Sequence, residues 1–318
     1  MSPRSRLVRR LARTFLPIIL VIIIAVAAVA VLIGRSITRP PRTPYLVTPQ
    51  TFTIGPILKA SDVTWSNHDG TNARGWLIRG TEGAPAVILL HRYGADRSWL
   101  LNLAVKLNET TNYTVLWPDL RGHGMDPPVE RSLFGTMEGD DVTAAIDYLH
   151  TLKGTAGKPQ IGFVGVYGVE LGAYAALDAA KRYPEIRALV LDSVPESPDD
   201  LIRAATSGRG AINNRALQTL GRWGVRIFTL GKYQSTPSCA LARTLHDERV
   251  LLLAGDANDA WRNSTLDLAK CFTNGAVVET KKDLPLTGFN LVPATGEQEE
   301  GYDRPVIEFL DKVLRSNP

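Results

Sequence analysis

The rhythm of apolar and polar positions changes character along this chain. From Phe15 to Gly34 the run FLPIILVIIIAVAAVAVLIG carries no charge and no strongly polar side chain. Twenty residues at about 1.5 Å each span roughly 30 Å, the thickness of a bilayer's hydrocarbon core, which predicts one N-terminal transmembrane helix over residues 15–34. A cleaved leader is the alternative, but its apolar stretch is usually about 7–15 residues, and here the run continues past an internal AVA string. RSITRPPRTPYLVTPQ follows; prolines 40, 41, 44 and 49 predict a semi-stiff, extended spacer over residues 35–51.

From residue 52 the pattern becomes short apolar runs alternating with helical periods. VTWSNHDGTNARGWLIRG reads as two strands around a turn rich in Asn, Asp and Gly. APAVILLHRYG, YTVLWPDLRGHG, IGFVGVYG, IRALVLDSV, RVLLLAGD and AVVETKKD read as further strands. Between them, DRSWLLNLAVKLNE places Trp99, Leu100, Leu103 and Leu107 on one helical face. GDDVTAAIDYLHTL does the same with Val142, Ala145, Ile146 and Leu149. VELGAYAALDAAKRYP, NSTLDLAKCF and RPVIEFLDKVL complete the helices. Such alternation predicts an α/β domain over residues 52–318, a mostly parallel sheet flanked by helices, with ligands bound beyond the carboxyl ends of the strands. Residues 195–248 break the rhythm and are expected to form a small helical cap.

Charge changes the picture in one respect. The pI near 9.1 invites a nucleic-acid partner, yet residues 1–42 hold eight Arg and no acid, leaving 28 basic against 32 acidic residues beyond them. The basicity belongs to the tail, and nucleic-acid binding by the α/β domain is disfavoured. Five Arg precede the apolar run and three follow it closely. That asymmetry places residues 1–14 in the cytoplasm, as a basic tail, and the folded domain outside it. Cys239 and Cys271 lack CxxC or His-cluster spacing, so no metal site is expected; they read either as one disulfide or as two buried thiols. Gly168 and Gly172 do not form a phosphate loop, because no Lys-Ser/Thr follows, and no cofactor is expected.

Four stretches carry a resemblance. VILLHRYGADRS, WPDLRGHGMD, VGVYGVELGAYAAL and LLLAGDAND, in that order, resemble the oxyanion loop, the loop after the fourth strand, the nucleophile elbow and the acid-bearing strand of the α/β-hydrolase superfamily. The likeness is to membrane-anchored bacterial serine hydrolases of the prolyl oligopeptidase and dienelactone hydrolase types, over roughly residues 60–316. It implies an α/β-hydrolase fold with chain order nucleophile, acid, His. The elbow glycines are present, but its apex is Glu170 rather than Ser. Asp259 occupies the usual acid position, with Asp256 as a nearby alternative. DLPLTGFN puts Phe289 where the His belongs, and no His follows His246. The oxyanion loop has Arg92 where Gly is usual; Tyr93 and Leu171 supply the backbone N–H donors. The carboxylate of Glu170 is expected either to occupy or to oppose that donor pair, and Arg92 either to pair with Glu170 or to face solvent.

Serine chemistry needs a nucleophile, a base and an orienting acid acting as a unit, and here the first two are replaced. His91 and His123 fall in loops where the resemblance makes His structural, and Asp119 and Arg121 are expected to brace the DLRGHG loop. The reading is a membrane protein anchored by residues 15–34 and catalytically degenerate. It acts by binding, either a membrane-complex protein partner or a small-molecule ligand beneath the cap. The alternative is a hydrolase of esters, amides or other activated carbonyls that uses Glu170 or a non-standard site. Ala30 and Gly34 form a small-xxx-small pair, which reads either as a helix-packing contact or as part of a lipid-facing anchor.

Overall fold

The apolar runs assemble into one sheet. A computed structural model describes residues 3–42, 44–51, 60–154, 157, 159–210, 214–290 and 297–315. Its strands are β1 (Ala60–Ser66), β2 (Asn72–Ile78), β3 (Ala86–Leu90), β4 (Thr114–Pro118), β5 (Val164–Val169), β6 (Ile186–Asp192), β7 (Arg249–Gly255) and β8 (Val277–Leu284). They lie in the order β1-β2-β4-β3-β5-β6-β7-β8. The β1–β2 and β2–β4 pairings are antiparallel and all others parallel. The central strands β3, β4 and β5 are buried along their whole length, which is why AVILL, TVLWP and VGVYGV read as continuous apolar runs. At the far edge β8 is mostly exposed and carries Lys281 and Lys282, charges that blunt an open edge.

The helices are α1 (Pro3–Ile37), α2 (Leu101–Thr111), α3 (Glu138–Thr151), α4 (Leu171–Ala180), α5 (Pro198–Gly210), α6 (Arg215–Phe228), α7 (Ser238–Ala242), α8 (Arg262–Leu268) and α9 (Glu297–Arg315). Of the helical faces read from spacing, Leu100, Leu103 and Leu107 before and along α2, and Val142, Ala145, Ile146 and Leu149 along α3, are buried, whereas Trp99 is half-buried. They join Trp76, Trp117, Tyr167, Val190 and Leu310 among the buried apolar residues of the sheet domain. All ten residues of α4 are buried, so the helix that follows Glu170 is held on every side. The last helix starts earlier than its sequence pattern suggests. Pro305 lies inside α9 rather than opening it, and the turns before it remain helical although Pro305 cannot donate to Gly301.

The chain divides into two compact units: Met1–Thr38 with Ile202–Tyr233, and Arg39–Leu201 with Gln234–Pro318. The second unit holds the whole sheet. The stretch expected to be an extended spacer is partly docked within it. The Tyr45 hydroxyl donates to Asp119 at 2.7 Å and its ring packs on Trp76 at 5.3 Å. The Leu46 N–H donates to the Ser98 hydroxyl at 3.1 Å, and Arg39 pairs with Glu130 at 2.5 Å. The Tyr45 side chain, the Leu46 backbone and Arg39 just before the prolines find partners, and that overrides a composition which by itself reads as spacer. Cys239 and Cys271 form a disulfide, with Cα atoms 5.2 Å apart, deciding between the two readings of the cysteines.

In the first unit α1 runs past the expected span at both ends. Residues 13–37 of it are long and apolar enough to cross a membrane. The expected cap segment is helical, as α5 to α7, but residues 202–233 of it form their compact unit with α1. The small pair Ala30 and Gly34 packs inside the same chain. A Cβ on Gly34 would come within 2.7 Å of the Val225 nitrogen, and one on Gly224 would overlap the Ala30 carbonyl. Small residues let the α1 and α6 backbones touch, which large ones would prevent.

Candidate active site

The elbow at the end of β5 is built by two glycines. A Cβ at Gly168 would overlap the Gly172 carbonyl, and one at Gly172 would sit 2.7 Å from the Leu90 carbonyl carbon. Between them Glu170 adopts φ 51°, ψ −103°, a left-handed conformation that costs a non-glycine residue on the order of 1–3 kcal/mol. Its N–H donates to the Asp192 carbonyl at 2.9 Å and its carbonyl accepts from Tyr174 at 3.0 Å, which holds the strained turn.

The Glu170 side chain is buried, and its carboxylate accepts the Tyr93 N–H at 2.8 Å. The Leu171 N–H is a second backbone donor to it. Of the two rotamer outcomes open in the sequence, the carboxylate therefore occupies the donor pair. Burial pushes the Glu170 carboxyl up to about 7, against the pull of the Tyr93 N–H, the charge of Arg92 and the Leu171 N–H.

Arg92 takes neither of its expected positions. Among the described residues no ion pair joins it to Glu170, and it does not point freely into solvent. Its guanidinium donates to the Tyr93 carbonyl at 3.2 Å and lies 4.8 Å from the centroid of the Trp99 ring and 5.4 Å from that of Phe289. Two aromatic rings thus provide a cation–π cradle. Burial lowers the Arg92 pKa and the charge of Glu170 opposes that fall. Phe289, at the His position, also meets Trp261 edge-on at 6.3 Å.

Asp259 is oriented toward the same loop. Its Oδ1 accepts the Trp261 N–H at 2.7 Å and its Oδ2 accepts the Thr287 hydroxyl at 3.1 Å, so the carboxylate bonds to a residue two positions before Phe289. For Asp256, the alternative acid, the carboxylate accepts the Asn258 N–H at 2.8 Å, a local turn contact.

The histidines are framework. His91 accepts the Leu120 N–H through Nε2 at 3.0 Å and donates from Nδ1 to the Arg92 carbonyl at 2.8 Å. His123 donates from Nδ1 to the Arg121 carbonyl at 3.0 Å and meets His91 edge-on at 5.0 Å. Burial brings His91 down to about 4 and His123 to about 3, so both are neutral at pH 7. Arg121 bonds to Asp141 and Asp69, and Asp119 accepts from Tyr45 and from the Arg97 N–H at 2.9 Å. Both brace their loop as expected.

Asp192 went unread in the sequence. It closes β6 fully buried, and its carboxylate accepts the Gly288 N–H at 2.7 Å, the Ser193 hydroxyl at 2.7 Å and the Tyr302 hydroxyl. Tyr302 in turn shares a 2.6 Å hydrogen bond with Tyr167. The network fixes the loop that presents Phe289. A carboxylate ending the apolar run IRALVLD was the available signal. Burial, partly offset by these donors, raises Asp192 to about 6.

No family model matches this sequence, and no curated protein matches it. Solved structures do. An esterase from Pyrococcus furiosus superposes with a TM-score of 0.67 at 19% identity, over 87% of this chain and 98% of its own. An α/β-hydrolase from Penicillium gives 0.58 at 16% identity, over 81% of this chain and 100% of its own. An acetyl xylan esterase from Paenibacillus gives 0.55 at 16% identity, over 82% and 87%. Likeness at such identities speaks for architecture alone, and together with the strand order and the strained elbow it establishes that this chain has the α/β-hydrolase fold.

Proposed function

We propose that this protein is a catalytically degenerate α/β-hydrolase-fold subunit, anchored in a membrane by α1, which acts by binding rather than by hydrolysis. The observation that carries the reading is the Glu170 carboxylate bonded to the Tyr93 N–H. An oxyanion site works because preorganised donors face the place where substrate charge develops, and here they face a carboxylate of the protein itself. A substrate carbonyl would have to displace a partner the chain supplies at no entropic cost. The position that would activate a nucleophile or a water is Phe289, and the buried neutral histidines are committed to backbone groups.

Membrane attachment rests on the apolar length of α1, and an extracytoplasmic sheet domain rests on the Arg asymmetry around it. The disulfide supports the same side, since such bonds persist in oxidising compartments. The partner in this reading is either another protein of a membrane complex or a small-molecule ligand.

Carboxylate-based hydrolysis is the rival, and one observation favours it: a buried carboxyl brought to about 7 is suited to proton transfer near neutral pH. The two readings separate in one experiment. Full-length protein in mild detergent is offered a panel of short activated esters beside a Glu170→Ala variant. Equal, background rates are expected. Turnover in the wild type that vanishes in the variant would make Glu170 catalytic and end the binding-subunit reading.

A further inference from the structure

The unit of Met1–Thr38 with Ile202–Tyr233 segregates charge completely: its sequence contains 12 Arg and Lys and no Asp or Glu, so all 32 acidic residues lie in the other unit. Within it α6 is strongly two-sided. Gly221, Gly224 and Val225 are buried, whereas Trp223, Ile227 and Leu230 are 58%, 46% and 90% exposed. Trp223 and Ile227, four residues apart, share one face of the helix, and Leu230 follows in the turn just past its end. Arg215, Arg226 and Lys232 are exposed beside it. A surface helix with Trp and Ile on one exposed face, Leu just past its end and basic flanks matches the chemistry of a bilayer's headgroup boundary.

The depth of α6 along α1 agrees. A Cβ on Gly221 would touch the Ile37 side chain at 3.6 Å, while Gly224 meets Ala30 and Gly34. The helix therefore runs back along α1, from the end of the apolar run toward its middle. Ile227, three residues beyond Gly224 and still within α6, reaches about 4.5 Å further in that direction at helical rise. α1 itself exposes apolar side chains along this part of its run, among them Val26, Val29 and Leu32.

We infer that α6 is a second membrane contact: it packs along the outer part of the apolar run of α1, presents Trp223 and Ile227 to the lipid chains, and holds anionic headgroups with Arg215 at its end nearest the exit of α1. This rests on the membrane reading of α1 and adds to it a lipid-facing segment from the middle of the chain. Anionic lipid is the committed occupant because the unit contains no acid to repel it, and each exposed basic residue near such a surface favours binding.

The test uses full-length protein reconstituted in vesicles of phosphatidylcholine with or without phosphatidylglycerol, carrying brominated acyl chains that quench tryptophan on contact. The other five tryptophans, at 65, 76, 99, 117 and 261, all belong to the sheet unit, so the wild type minus Trp223→Phe isolates Trp223. The expected result is quenching of that component, stronger with phosphatidylglycerol, with the lipid dependence lost in Arg215→Gln. Equal quenching in wild type and Trp223→Phe overturns the proposal and leaves a protein partner or a second copy as the cover for Trp223 and Ile227. Alkaline extraction of the same vesicles separates the failures. A chain that stays with the lipid while Trp223 is unquenched loses only the α6 contact; a chain that is extracted loses the membrane reading as well.

Discussion

The Glu170 carboxylate and the Tyr93 N–H are 2.8 Å apart, and this bond joins the apex of the elbow to the loop after β3. In a hydrolase those two elements bracket the substrate carbonyl. Here they are tied to each other: the side chain at the apex of the elbow occupies the Tyr93 donor. The strained φ of 51° at Glu170 persists beneath. The side chain on this strained turn serves as a buried acceptor.

Burial sets the pH dependence of this contact. The Glu170 carboxyl stands at about 7, above its ordinary value of 4.5. The folded protein therefore binds more protons than the unfolded chain between these values, and its stability falls as pH rises from about 4.5 to 7. Asp141, near 7, and Asp192 and Asp303, near 6, act in the same direction, so the wild-type curve alone does not isolate Glu170. Glu170→Gln keeps one acceptor oxygen and cannot ionise. We expect it to be more stable than wild type at pH 8, by up to about 3 kcal/mol, with the gap closing toward pH 4.5. Denaturant melts at several pH values read the difference directly. A constant offset across that range would mean that Glu170 is already ionised in the folded protein at low pH.

If the site is a hydrolase site with two parts exchanged, restoring both should restore some chemistry. Glu170→Ser frees the Tyr93 and Leu171 donors, and Phe289→His places an imidazole on the loop that Asp259 already reaches through Thr287. Each single variant should remain at background. The double variant should hydrolyse activated esters about 100-fold faster than Glu170→Ser, the low end of what a positioned base contributes. A stoichiometric burst of product would mark an acyl-enzyme. Equal rates in the single and double variants would show that the Phe289 loop does not present a side chain to the elbow.

What could be read in advance divides along physical lines. The elbow was legible because its two glycines flank Glu170 at fixed spacing and Gly168 is required by Gly172 four residues on, although Gly172 itself is required by Leu90 from the distant β3. The direction taken by Arg92 was not legible. It depends on Trp99 and Phe289, brought from distant parts of the chain, and two rings compete there with one carboxylate. Asp192 was passed over because its donors, Gly288 and Tyr302, arrive from loops that spacing does not align. Ala30 and Gly34 signalled close packing, yet nothing local identifies Gly224 as the partner. The docking of Tyr45 likewise follows from Asp119 and Trp76, and a proline-rich composition conceals it.

The disulfide makes a prediction of a different kind. Cys239 and Cys271 are 32 residues apart, and closing a loop of that length restricts the unfolded chain by about 3–4 kcal/mol in the loop-entropy account. Denatured, unreduced protein should present no free thiol. Cys239→Ser/Cys271→Ser should lower stability by that order in denaturant titrations while leaving the elbow unchanged. A double variant as stable as wild type would mean that strain in the bonded state cancels the entropic gain.

The glycine crossing in the first unit can be broken without touching the sheet. Gly224 faces Ala30 so closely that any side chain displaces backbone, whereas a Cβ at Gly208 would meet nothing within 4 Å. Gly224→Ile should therefore separate α6 from α1, and Gly208→Ala should not. Limited trypsin digestion of full-length protein in detergent reads the outcome, because Arg222 and Arg226 flank Gly224 and cleavage requires the local helix to open. Rapid cutting after these residues is expected in Gly224→Ile alone, with the sheet domain left intact. Equal digestion of both variants would mean that α6 is held by something other than its contact with α1. The outcome bears on function, since a helix that leaves α1 also leaves the level at which its Trp223 face would meet lipid.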